Sequence, residues 1–288
     1  MNRTADGSVA VAENSGCRDA IGQSHAPATA DARIVSLVPS ITELLFDLGV
    51  GDRVVGRTGF CIHPRDAVRD VPKVGGTKDV KIDALRALAP THVIVNVDEN
   101  EAATAEAIRA FVPHVIVTHP NAPEDNVALY RLLGCIFGAE ARAEQLAAEL
   151  GNELDVCRAM QWPRERVLYL CWKDPWMTVA ADTYIGRTLA CVGWDVPSQA
   201  GGWSGAARYP VVVDLDAAAA GVDRVLLSSE PFMFRAQHVA ELQQRLSATP
   251  VEMIDGEMTS WYGSRAIRGL AWLREFRSSR ASRSARGA

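Results

Sequence analysis

The chain has 288 residues, 48% of them hydrophobic and 23% charged, with a formal net charge of -5. That length exceeds one typical core and predicts two domains or lobes, while the acidic balance argues against a general nucleic-acid binder, which needs a basic face for phosphates. No apolar run approaches the length that spans a bilayer, so no membrane-spanning segment is expected.

Residues 1–32 are rich in Ala, Ser, Thr, Gly, Asp and Asn, and their longest apolar run, 9–12, is too short for the core of a signal peptide. They are expected to form a disordered leader. Ser15-Gly16-Cys17 has the form of a lipoprotein cleavage site, but no apolar segment precedes it. The ordered chain is expected from Arg33. Ile34-Val35-Ser36-Leu37-Val38 reads as a buried strand. Pro39-Ser40 opens a helix, with Ser40 as its cap and Glu43 at capping-box spacing. Leu44, Leu45 and Leu48 give that helix its apolar face, and Gly49 ends it. A strand over 53–56, a loop over 58–77, a helix over 82–88, a strand over 92–97, a helix over 102–111 and a strand over 114–118 complete the first half.

A helical stretch over 123–161 follows, interrupted at Gly134 and Gly138. Its piece 139–160 is rich in the strong helix formers Ala, Leu and Glu. At 1.5 Å per residue it spans about 30 Å, enough to join two lobes as a stiff connector. The second half then repeats the first: strand 167–172, helix 184–192, a Gly-rich loop over 197–209, helix 215–220, strand 224–228, helix 236–246, strand 251–254 and a last helix over 264–276. Leu88-Ala89-Pro90-Thr91-His92-Val93-Ile94-Val95 answers Ala220-Gly221-Val222-Asp223-Arg224-Val225-Leu226-Leu227. Alternating strands and helices imply parallel sheets covered on both faces. The predicted fold is α/β: a lobe at 33–120, a helical connector at 121–163, a second lobe at 164–276 and a disordered basic tail at 277–288.

Ligands of open parallel sheets bind outside the carboxyl ends of the strands. In the first lobe those loops carry Pro39, Ser40, Phe60, His63, Gly76 and Asn96; in the second they carry Trp172, Trp176, Trp203, Tyr209, Phe232, Trp261 and Tyr262. All seven tryptophans lie at or after position 162. Flat apolar walls with a few polar groups suit a bulky, partly apolar ligand. Glu99 and Glu230 occupy matching positions just past a strand end in each half, where carboxylates can steer docking.

Enzyme motifs fail on inspection. Gly202-Trp203-Ser204-Gly205-Ala206 lacks the last glycine and the leading strand of a nucleophile elbow, and neither a G-x-G-x-x-G nor a Walker A loop occurs. No C-x-x-C pair is present among the six cysteines, and Cys135, Cys157, Cys171 and Cys191 read by default as buried free thiols, with one disulfide left open. Cys61-Ile62-His63 offers two metal ligands without the partners of a closed site. No protein-held metal, intrinsic cofactor or catalytic residue is assigned.

The run Arg33-Ile34-Val35-Ser36-Leu37-Val38-Pro39-Ser40-Ile41-Thr42-Glu43-Leu44-Leu45-Phe46 resembles the start of the helical-backbone metal receptor superfamily, the vitamin B12-, haem- and iron-chelate-binding proteins of ABC importers. Val55-Gly56-Arg57-Thr58, His63-Pro64, Pro72-Lys73-Val74-Gly75-Gly76-Thr77, Asn96 with Glu99-Asn100, Leu227-Ser228-Ser229-Glu230-Pro231-Phe232 and 255–265 extend the match across 33–276. The resemblance implies two α/β lobes bridged by a helix (the class III periplasmic-binding-protein plan), with the ligand in the cleft and one glutamate per lobe, Glu99 and Glu230, docking transiently on an ABC permease. The B12 branch looks closest, with Phe60 where an aromatic contacts the corrin, although Val74 and Asn96 stand where a well-known receptor of that branch has tryptophans. The expectation is a monomeric cobalamin-type substrate-binding protein, with a haem or iron-chelate receptor or an intracellular corrinoid carrier as alternatives. The resemblance implies a periplasmic location, while the absence of a visible signal peptide leaves a cytoplasmic one open.

Overall fold

A computed structural model describes residues 17–197, 203–204 and 207–284. The first lobe is built on β1 (Ile34–Ser36), β2 (Val54–Arg57), β3 (His92–Asn96) and β4 (His114–Thr118), all parallel, in the order β2-β1-β3-β4. Alternation along the strands feeds two cores. Ile34, Ile94 and Ile116 pack with α1 (Pro39–Asp47) and the connector, whereas Val35, Val93, Val95, Val115 and Val117 pack against α2 (Ile82–Ala87) and α3 (Ala102–Arg109).

The second lobe repeats this topology. Its strands β5 (Glu165–Trp172), β7 (Trp194–Asp195), β10 (Arg224–Ser228) and β11 (Val251–Ile254) run parallel, β7 flanking β5 as β2 flanks β1. Leu168, Leu170, Val225 and Leu227 face α7 (Leu215–Ala219) and α8 (Ala236–Arg245). Val167, Tyr169 and Leu226 face α6 (Tyr184–Ala190) and the last helix. One expectation needs correction. The second sheet is not wholly parallel, because β6 (Met177–Thr178), β9 (Val211–Val212) and β8 (Trp203–Ser204) extend it antiparallel from the end of β5.

The connector is a helical pair, α4 (Asn126–Phe137) and α5 (Glu140–Ala159), separated at Gly138, whose φ of 71° is left-handed. Gly134 does not interrupt it. A Cβ there would lie 2.7 Å from the Ala143 Cβ, so this glycine lets α4 and α5 approach. The core that joins α1, α4 and α5 also takes in Tyr184, Tyr262 and Leu270 of the second lobe. A shared core of this kind resists independent motion of the lobes. A short α9 (Gly256–Ser260) leads to α10 (Arg265–Ser284), which packs on α5 and ties Arg274 to Glu153 at 3.2 Å. Among the described residues no helix is long and apolar enough to cross a membrane.

Both expected disordered ends are corrected where the chain is described. Residues 17–31 are held on the first lobe by a Cys17–Cys135 disulfide and by Asp19. The Asp19 carboxylate accepts the N–H groups of Ile21, Gln23 and Val117 and pairs with buried His25 at 3.0 Å. Cys135 is therefore not a free thiol. At the other end α10 continues to Ser284. Arg277, 1% exposed, donates to the Pro163 carbonyl and pairs with Glu165 at 2.8 Å, and Arg280 pairs with Glu252. Composition suggested solvated ends because these anchors are single residues without periodicity.

Candidate functional site

Loops at the carboxyl ends of the two sets of strands meet across the gap between the lobes, and side chains bridge it, forming its floor. From the second lobe, Arg208 donates to Asp98 (3.1 Å) and Asn121 (2.6 Å) beyond β3 and β4. Tyr262 donates its phenol proton to Glu99. His63, in the loop after β2, meets Glu257 of α9 at 3.1 Å.

Local sequence fixes this floor. Asp255 caps α9 by accepting the Met258 N–H at 3.2 Å. Gly263 follows with a φ of +72°, and a Cβ there would sit 3.0 Å from the Ser40 carbonyl. Only glycine meets both demands, so the chain after α9 lies directly on the first turn of α1. Tyr130 and Asn126 of α4 hold the same residue, the first donating to the Gly263 carbonyl (2.8 Å) and the second accepting its N–H (2.6 Å).

Charge is concentrated beneath the gap. Arg265, 3% exposed, makes a two-point contact with Glu43 at 2.8 and 3.0 Å and also pairs with Glu257, while Arg268 takes a second share of Glu43. Such bidentate, charge-assisted bonds fix orientation strongly. Glu43 is thus an interlobe ligand and not half of a capping box. Pro39 at the first helical position makes Val38 the cap residue, so Ser40 lies inside α1, buried, and does not cap it.

The Glu99 carboxyl is pushed up to about 7, first by burial, with the Tyr262 hydrogen bond opposing and Glu230 adding to the rise. Burial also raises Glu230, which accepts from Ser260 (2.8 Å) and the Trp261 indole (2.6 Å). Both glutamates are half-buried and hydrogen-bonded within the gap, so neither stands as a free carboxylate on an outer lip.

Several aromatic residues in or beside these loops are exposed. Phe60 is 62% exposed, Trp172 39% and Tyr209 36%. Phe232 meets Trp172 edge-on at 5.7 Å, and Trp176 stacks on Phe234 at 5.8 Å. Gly76 lies under Phe60, where a Cβ would come within 3.3 Å of its ring. Trp261 and Tyr262, at 8% and 7% exposure, belong to the floor, with Arg265 over the Trp261 ring at 4.4 Å. Asn96 is buried; its amide oxygen accepts the Asp98 N–H at 2.8 Å and its nitrogen donates to Thr118, so it shapes the loop instead of lining the gap. Pro39 is half-buried at the start of α1. The Trp203 side chain lies outside the described residues.

Cys61 and His63 point to different partners. Cys61 is fully buried against Thr58 (3.1 Å), with burial raising its thiol pKa, and His63 faces Glu257 and the edge of Trp261. Among the described residues no group of three or more His, Cys, Asp or Glu is placed to hold a metal ion. Sequence reasoning missed Arg208, Asp98 and Asn121. The bridge from Arg208 to Asp98 spans 110 residues and leaves no local signature. Arg265 did stand inside a recognised motif.

Comparison with known proteins agrees with this architecture. A family model described as periplasmic binding protein matches residues 34–209. An uncharacterized ABC transporter substrate-binding lipoprotein of Bacillus subtilis is 32% identical over 126 residues, 42% of this chain and 39% of that protein. A vitamin B12-binding protein of Vibrio parahaemolyticus is 23% identical over 209 residues, 72% of this chain and 71% of the relative. Among solved structures, the periplasmic vitamin B12 binding protein of Vibrio cholerae superposes with a TM-score of 0.69 at 16% identity, covering 85% of this chain and 96% of that one. A periplasmic heme binding protein of the same species gives 0.68 at 20% identity, covering 86% and 99%. At such identities the structural likeness establishes the fold alone.

Proposed function

The chain belongs to the periplasmic binding protein family, and from that premise we propose that it captures a corrinoid of the cobalamin type between its lobes for delivery to an ABC importer. The observation that carries this reading is an exposed aromatic rim over a polar floor whose possible metal ligands are already engaged. His63 is bonded to Glu257 and Tyr262 to Glu99. A haem held by a protein needs an axial ligand from it, whereas a corrinoid brings cobalt with ligands of its own and asks only for flat apolar walls and hydrogen bonds. The relative named as vitamin B12-binding, matched over 72% of this chain, supports the same cargo.

Haem is the second reading, on one observation. Tyr209 is 36% exposed at the rim, with no hydrogen-bond partner for its phenol among the described residues. Absorption spectra of the protein with hydroxocobalamin and with hemin separate the two. The corrinoid reading expects a shifted cobalamin spectrum with stoichiometric uptake, and a hemin Soret band no different from that with albumin-free buffer. A sharp Soret band lost in Tyr209→Phe would move the assignment to haem.

Delivery includes docking through Glu99 and Glu230, which requires each to exchange its present partner for a permease arginine. Capture outside the cytoplasmic membrane fits the Cys17–Cys135 disulfide, a bond that persists in oxidising compartments. Cell fractionation tests that placement; protein recovered only from the cytosol would favour the carrier reading.

A further inference from the structure

A second cavity, of about 490 Å³, lies at the amino-terminal edge of the second sheet, opposite the strand ends that bear the cleft. The end of α5, the segment entering β5 and the turn after α6 line it, with Ala122 and Glu124 at the start of the connector on its other side. Its size falls within the range of small-molecule sites.

The floor is apolar and fixed. Leu154 and Cys157 of α5 are buried there, and the Trp162 indole N–H donates to the Cys157 carbonyl at 3.1 Å, which holds the ring in place. Gly193, with a φ of +74°, lets the turn after α6 pass beneath this tryptophan, where a Cβ would lie 2.6 Å from the Trp162 Cβ. Three arginines stand over this floor, and they differ. Arg158 is paired with Glu124 and Asp155, and Arg164 with Asp195 at 2.6 Å. Arg187 is exposed, and its guanidinium has neither ion pair nor hydrogen bond among the described residues. The acidic groups nearby, Glu124 and Asp195, are already engaged, so an anion at Arg187 would meet an uncompensated cation beside an apolar wall.

We propose that this cavity is a second ligand site, for a small organic anion with a flat apolar body, its carboxylate or sulfonate on Arg187 and its body over Trp162 and Leu154. A planar two-point bond is the contact that guanidinium makes with such head groups. Because the connector and the second lobe both contribute walls, the occupant would sit where the connector meets the second lobe.

The probe is 8-anilinonaphthalene-1-sulfonate, titrated into the full chain and followed by its fluorescence. The expected result is saturable binding of one dye per chain. Loss of a charge-assisted bond should weaken it about tenfold or more in both Arg187→Gln and Arg187→Glu. Ala190→Trp, which fills the cavity from an exposed helix position, should abolish binding, while Trp176→Ala in the cleft should leave it unchanged. The uncharged N-phenyl-1-naphthylamine should bind at least about tenfold more weakly. Far-UV circular dichroism establishes that each variant is folded. No saturable binding, equal binding by the Arg187 variants or the uncharged dye, or loss of binding in Trp176→Ala would each overturn the proposal. These outcomes are independent of whether the cleft takes a corrinoid.

Discussion

Tyr262 of the second lobe donates a hydrogen bond from its phenol to the carboxyl group of Glu99 on the first, across the gap between them. Burial raises the Glu99 pKa from 4.5 to about 7. Between those values the folded chain keeps a proton that the unfolded chain has lost. The stability this gives is complete below about 4.5 and is lost as pH rises through about 7. Glu230, raised by burial, acts in the same direction. Glu99→Gln should therefore flatten the fall in thermal stability between pH 5 and 8, and gain on the order of 1–3 kcal/mol at pH 8. Parallel curves for the two proteins, measured by calorimetry across that range, would remove the coupling.

Arg265 is the charged group whose loss should cost most. Its replacement by Met removes the two-point contact on buried Glu43, leaving it only the more exposed Arg268, and leaves Glu257 with His63 alone. Breaking one partner of a buried ion pair costs about 3–5 kcal/mol, to be read from urea unfolding. Arg131→Ala, which breaks the exposed pair with Glu144, should leave the midpoint unchanged. Equal losses in the two variants would contradict the buried network.

The Cys17–Cys135 bond closes a sequence separation of 118 residues. A Cys17→Ser, Cys135→Ser double variant should lose about 3–5 kcal/mol of stability, since long loops gain most from cross-linking. It should also be cut faster by trypsin at the exposed Arg18, which the bridge at the neighbouring Cys17 tethers. An unchanged unfolding midpoint in both redox states would mean that the bridge contributes nothing.

The repeated half-molecule is legible in the sequence because its central strands are uninterrupted apolar runs. His92–Asn96 and Arg224–Ser228 are buried at every position, and each follows a short helix and a turn. The antiparallel extension is not legible, since β6, β8 and β9 have two residues each and gain their identity from pairing alone. Pairing along the chain misled at Ser40 and Glu43, where capping-box spacing matched but Pro39 set the helix start two residues earlier and Glu43 faced Arg265, 222 residues away. In the site, the exposed aromatics Phe60 and Trp172 follow from loops after strand ends. That Trp261 and Tyr262 are buried floor residues depends on Gly263 resting on α1, a tertiary contact that residue types do not announce.

The central claim is that the rim aromatics receive a flat ligand, and a cyanocobalamin titration followed by tryptophan fluorescence tests it most directly. The account predicts saturable quenching with one ligand per chain at micromolar concentration or below. It also predicts that Trp172→Ala and Phe60→Ala each weaken binding by about tenfold or more, since aromatic anchors dominate such surfaces. Fluorescence that stays flat to high micromolar ligand, or affinity that survives both substitutions, would contradict it.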